Sequence, residues 1–185
     1  MKDYSVDIAK YFVKVKSSLD LIDKAALSQL INLLECAREE GRQIFVMGNG
    51  GSGATASHYC CDFNKGIYLS KEKRYRMICL NDNVPTMMAY ANDVGYDEVF
   101  VGLLQNFFLP GDVVIGISGS GNSPNVIRAI EWAKDNGGIT VGLSGYDGGK
   151  LKMVAEYGIH VPVNDMQITE DLHMVIGHCI MRVLS

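Results

Sequence analysis

The spacing of hydrophobic and polar positions changes once along the chain. Over the first forty residues, apolar side chains recur at helical intervals, with Ile8, Tyr11, Phe12 and Val15 followed by Leu27, Leu30, Ile31 and Leu34. Two helices therefore precede the first strand. The charged turn Arg38 to Glu40 and then Gly41 mark where the second one stops. Beyond it, short apolar runs at 43–47, 76–80, 113–117, 139–143 and 157–161 alternate with helix-like segments near 53–65, 84–109 (broken), 124–136 and 149–155. This is the rhythm of βαβ units and predicts an α/β fold, a five-stranded parallel sheet flanked by helices. A last helix is expected over 168–184. No repeat or low-complexity segment interrupts the pattern, so 185 residues read as one domain, 1–185, that includes an N-terminal helical segment, 1–41.

Composition narrows the class of function. The net charge of −4 carries no basic stripe, which argues against direct nucleic-acid contact. The N-terminus has no apolar signal-like core, and no stretch reaches the length of a membrane span, so a cytoplasmic protein is expected. The five cysteines, at 36, 60, 61, 79 and 179, lack C-x-x-C spacing and are expected to be reduced and mostly buried.

Two glycine- and serine-rich loops carry the candidate chemistry. In a flavodoxin-like 2-1-3-4-5 sheet the loops after the first and third strands face one crevice, where strand order reverses. The later loop, Ser118-Gly119-Ser120-Gly121-Asn122-Ser123, offers three hydroxyls and two flexible glycines ahead of Pro124, which suits the first position of a helix. Free N–H groups and the helix dipole favour a phosphate dianion there; Ser123 could instead only cap the helix. The earlier loop, Gly48-Asn49-Gly50-Gly51-Ser52-Gly53, satisfies G-x-G-x-x-G literally. A dinucleotide site would want an acid about 20 residues further on, and Asp82 comes too late while the serine loop would go unexplained. The phosphate end of a sugar phosphate is the better ligand for the pair of loops.

With these residues in view, the chain resembles the sugar isomerase (SIS) domain family and, within it, the phosphoheptose isomerases. The marks are GNGGS at 48–52 with His58, AND at 91–93, GDVVIGISGSGNS at 111–123, YDGGK at 146–150 and the acidic, histidine-bearing last helix. The resemblance implies a homotetramer with active sites between subunits. Position by position, it implies that Ser118, Gly119, Ser120 and Ser123 hold the phosphate and that Asn49, Gly50, Gly51, Ser52 and Asp93 line the sugar chain.

A polar constellation completes the picture. His58 and Asp62 are four apart and share one helix face, while Glu170, Met174 and His178 form a stripe on the last helix. That stripe is read as facing away from a core side formed by Ile168, Leu172, Val175 and Cys179. Two imidazoles and two carboxylates make a ligand set for zinc or another first-row divalent ion, against the plainer reading of a core histidine and a solvated glutamate. His173 and His160 show no companions for chemistry. The resemblance brings the two helix faces together and assigns acid–base work to Asp62 and His178 in an aldose–ketose isomerisation through an enediol. It also exposes departures: a glutamate is usual at Asp62, a glutamine at Glu170, a threonine at Gly119, an arginine near Gly66 and an aspartate near Gln167. The expected activity is sedoheptulose 7-phosphate to heptose 7-phosphate isomerisation. The alternatives are non-catalytic relatives: a regulator that binds the replication initiator, or a phosphosugar-binding module.

Overall fold

The computed structural model describes residues 2–67 and 72–185. Two helices, α1 (Ser5–Leu19) and α2 (Lys24–Glu39), lead into strand β1 (Gln43–Gly48). The chain continues through α3 (Gly50–Cys61), β2 (Arg76–Cys79), α4 (Val84–Asp93), α5 (Val99–Phe107), β3 (Val113–Ser118) and α6 (Pro124–Asp135). It closes with β4 (Ile139–Ser144), α7 (Gly149–Val154), β5 (Tyr157–His160) and α8 (Met166–Leu184). The sheet order is β2-β1-β3-β4-β5, with every neighbouring pair parallel. The expected α/β architecture and strand order are those observed, and the long segment 84–109 is broken between α4 and α5 by a single 3₁₀ turn at Tyr96–Glu98.

The central strands are continuous apolar runs because both faces of the sheet are covered. Alternate residues of β1 part to opposite sides: Ile44 and Val46 join a core with α2, α3 and α8, while Phe45 and Met47 join one with α5, α6 and α7. Asp23 starts α2 by accepting from the N–H groups of Ala25 (2.8 Å) and Ala26 (3.1 Å), two donors that the helix itself leaves unpaired. No helix among the described residues is long and apolar enough to cross a membrane.

Three details depart from the sequence reading. The buried face of α8 comprises Ile168, Thr169, Leu172, His173, Ile176, Gly177 and Ile180, whereas Val175 and Cys179 are exposed. The cause is Tyr59, whose ring lies so close to Gly177 that any Cβ there would overlap it, and whose hydroxyl donates to the His173 carbonyl at 2.5 Å. That contact draws the 173/177 edge of the helix inward and leaves Val175 and Cys179 outside. Of the cysteines, Cys60 and Cys79 are buried, while Cys36, Cys61 and Cys179 are exposed, and all five are free. Third, α3 runs on into a π-helical turn, Asp62–Gly66, held to β2 by Asn64, which bonds both the N–H and the carbonyl of Met77.

A candidate active site at the carboxyl edge of the sheet

β1 and β3 are adjacent, with Gly48 level with Ile117, so the loops that follow them open at the same edge. Between them lies a cavity of about 290 Å³ lined by both loops and, from α8, by Met166 and Glu170. Gly48 has to be a glycine, because a Cβ would stand 2.7 Å from the Ser52 backbone where the chain turns into α3. In the serine loop, the Ser118 and Ser123 hydroxyls lie 3.0 Å apart, and Ser120 Oγ accepts from the Asn122 N–H at 3.2 Å. The loop's carbonyls are spent outward, Gly119 O accepting from Gly145 N–H and Gly121 O from Leu151 N–H, each at 2.8 Å. Gly121 sits at φ +68°, and a side chain there would overlap the Gly148 carbonyl. Ser123 makes no side-chain cap to α6, and its hydroxyl faces Ser118. Pro124 has no N–H, Val126 N–H donates to Asn125 Oδ1 and Ile127 N–H to the Ser123 carbonyl, so the first turn keeps the Asn125 N–H for an anion.

α3 and α8 both begin beside this cavity and carry the polar groups away from it. His58 Nε2 and His178 Nε2 stand 2.9 Å apart, with Asp62 Oδ2 at 3.3 Å from the first and 3.6 Å from the second. The ligand atoms of these three residues all lie within 4.8 Å of one another, so they could hold a metal ion. Two imidazole nitrogens turned toward each other beside a carboxylate oxygen make a donor set suited to a borderline divalent ion. At ~1.5 Å per residue, seven residues of α3 put His58 roughly 10 Å from Gly51 along the helix.

The family model described as SIS domain matches residues 10–145. The phosphoheptose isomerase of Aliarcobacter butzleri (strain RM4018) is 35% identical over 178 residues, covering 96% of this chain and 89% of that one. That of Helicobacter pylori (strain ATCC 700392 / 26695) is 39% identical over 153 residues, 83% and 79% of the two chains. The chain belongs to the SIS domain family, in its phosphoheptose isomerase branch. The solved structure of phosphoheptose isomerase GmhA from Neisseria gonorrhoeae superposes with a TM-score of 0.89 at 26% identity, covering 98% of each chain.

Within this SIS domain, the expected binding residues Asn49, Gly50, Gly51, Ser52, Ser118, Gly119, Ser120 and Ser123 come together around one cavity. Asp93 does not join them: it lines a separate cavity of about 380 Å³ with Pro85, Thr86, Ala89, Tyr90 and Val94, and it accepts from Asn92 at 2.7 Å. Glu170 stands apart from the other three expected ligands. Eight residues of α8, roughly 12 Å of helix rise, separate it from His178, and its carboxylate lies over the backbone of Gly51 at the start of α3, where a Cβ would overlap it. The ligand-type groups that meet in this chain are therefore His58, Asp62 and His178. His160 does have companions, Lys152 Nζ at 3.0 Å and the Tyr146 carbonyl at 3.1 Å.

Two of the departures from the SIS pattern have a steric counterpart. A Cβ on Gly119 would stand 2.5 Å from Met166 Sδ, and one on Gly66 would overlap Met181 Cε. Methionines thus fill the space that larger side chains would need at both positions. Met166 lines the cavity itself; as one apolar residue ahead of an amphipathic helix, it gave no sign of this in the sequence.

Proposed function

We propose that this SIS domain protein is an aldose–ketose isomerase that interconverts sedoheptulose 7-phosphate and an aldoheptose 7-phosphate. The carrying observation is the meeting of His58, Asp62 and His178 on two helices that both start at a serine-lined cavity. In this reading the hydroxyls of Ser118, Ser120 and Ser123 and the Asn125 N–H at the start of α6 bind the phosphate, and Asn49, Gly50, Gly51 and Ser52 line the first part of the sugar. A phosphate anchored there leaves a seven-carbon chain to run along α3 toward the polar cluster.

His58, Asp62 and His178 would hold a divalent ion, with zinc the ion this ligand set suits best. When bound, such an ion polarises the substrate carbonyl and stabilises developing oxyanion charge. Asp62 faces the imidazoles through Oδ2, and its Oδ1 moves the proton between the two carbons of the enediol. His178 would move the proton on oxygen only while its Nε2 is off the ion, because a coordinated nitrogen has no lone pair for a proton, so its two roles alternate. Glu170 belongs to the wall of the substrate cavity, beside Gly51.

Residues 1–185 act as one domain in this account, in a cytoplasmic homotetramer without nucleic-acid or membrane partners. The apolar side of α1 supports assembly: Ile8, Phe12 and Val13 are all more than half exposed, while Tyr11 and Lys14 tie the helix to Asp171 and Asp165 of α8. The test is turnover of a panel of ketose phosphates by purified protein whose metal content is measured on the same sample. Conversion of heptulose 7-phosphate by metal-bearing tetramer is expected. Binding without conversion would leave only a phosphosugar-binding module.

A further inference from the structure

We infer that Tyr96 and Asn125 are positioning residues that lock the Asn49 amide so that it offers the substrate one N–H donor and no acceptor. The inference rests on the proposed sugar-phosphate site and adds the polarity of one contact within it. The lock can be read from a residue whose orientation is not open to choice. The Val126 N–H can only donate, and it donates to Asn125 Oδ1 at 2.9 Å, which fixes the oxygen end of that amide. Asn125 Nδ2 is then the end that donates to Asn49 Oδ1, at 2.9 Å, and Asn49 Nδ2 donates back to Asn125 Oδ1 at 2.8 Å. Tyr96 Oη donates to the same Asn49 Oδ1 at 2.8 Å. Both lone-pair positions of Asn49 Oδ1 are occupied, and one of the two Nδ2 hydrogens is spent.

The remaining Nδ2 hydrogen has no hydrogen-bond partner among the described residues, and Asn49 lines the serine cavity. Asn125, 1% exposed, sits one residue after Pro124 at the start of α6 and cannot turn without unpairing a buried amide. Tyr96 reaches Asn49 from the 3₁₀ turn at Tyr96–Glu98, which is tied to α6 by the ion pair of Glu98 with Arg128. The ligand atom opposite Asn49 must therefore accept: a hydroxyl or carbonyl oxygen of a sugar fits, and an ammonium group of an amino sugar, which only donates, does not. The phosphate cradle contains neither Tyr96 nor the Asn49 amide and shares only the backbone of Asn125, so Tyr96 tests the sugar end of the ligand separately.

Titration calorimetry with sedoheptulose 7-phosphate and with inorganic phosphate, on the parent, Tyr96→Phe and Asn125→Asp, separates the roles. Tyr96→Phe keeps a half-exposed ring and removes one hydrogen bond, so the melting temperature should hold while the sugar phosphate binds roughly three- to tenfold more weakly. Asn125→Asp keeps the acceptor for Val126 and loses the donor to Asn49 Oδ1, and it should cost more. Inorganic phosphate should bind Tyr96→Phe as it binds the parent, whereas the charge that Asn125→Asp adds in the first turn of α6 should weaken phosphate too, and kcat/KM should fall with the sugar-phosphate affinity. Unchanged sugar-phosphate affinity in Tyr96→Phe overturns the lock, as does an equal loss for both ligands in that variant, which would mark a general disturbance of the loops. If Asn125→Asp does not fold, Tyr96→Phe decides alone. A parent that binds heptulose phosphate without converting it removes the isomerase reading and leaves the lock to be judged by the same affinities.

Discussion

His173 makes the stability of this protein depend on pH in a way that one substitution should remove. Its side chain is fully buried in α8, and neither ring nitrogen reaches hydrogen-bond geometry with a partner. Burial pushes its pKa down from 6.5 to about 4, against a weaker opposing pull from the Ser144 backbone. The folded protein therefore holds His173 neutral over a range in which the unfolded chain binds a proton. Stability is unaffected above about pH 7, falls as the pH drops through the unfolded value of 6.5, and levels off below about 4, where the folded form is protonated too. A fall from 6.5 to about 4, at about 1.4 kcal/mol per tenfold change in proton affinity, gives a full loss of roughly 3 to 4 kcal/mol, a large part of the 5 to 15 kcal/mol typical of a domain. Urea unfolding of the parent and of His173→Leu between pH 4 and 8 isolates this term, because carboxylates such as Asp165 titrate alike in both. The difference between the two free energies should widen by about 3 kcal/mol toward low pH in favour of the variant. Parallel curves would show that the imidazole is paired or solvated and that the reasoning fails.

Other outcomes follow from the site. His178→Ala should abolish isomerase turnover and lower bound divalent metal in elemental analysis, while melting and size-exclusion profiles stay those of the parent, because the imidazole is about half exposed; retention of metal and rate would remove the cluster from the mechanism. Ser120→Ala should weaken a sugar phosphate by about 1.5 to 3 kcal/mol in calorimetry and leave the free sugar unchanged, and equal losses would contradict the phosphate assignment. Gly121→Ala places a side chain at φ +68° against the Gly148 carbonyl, so a destabilisation above about 2 kcal/mol is expected in urea unfolding, and a change below about 1 kcal/mol would mean the serine loop is less tightly held.

The strands were legible because each is a short apolar run that starts at or just after a charged residue or glycine, and burial on both faces of the central strands leaves few other uses for such runs. The two loops were legible because glycine and serine at a strand end have a local meaning that survives folding. What escaped depends on contacts distant in sequence. Nothing near Gly177 announces that Tyr59 will pack on it and turn α8, exposing Val175 and Cys179. The i, i+4, i+8 stripe correctly put Glu170 and His178 on one face, but a common face extending two turns does not bring its ends to one ion. The amide pair of Asn49 and Asn125 joins the loop after β1 to α6, and Tyr96 enters from a third segment, so no local spacing could reveal it.

The most direct test of the central claim is a proton NMR time course of sedoheptulose 7-phosphate with the purified, metal-analysed protein. The account predicts growth of an aldose anomeric proton signal at the expense of the ketose, at a rate that scales with bound metal and vanishes in His178→Ala. A ketose spectrum that stays unchanged while calorimetry shows the same sugar phosphate bound would contradict it.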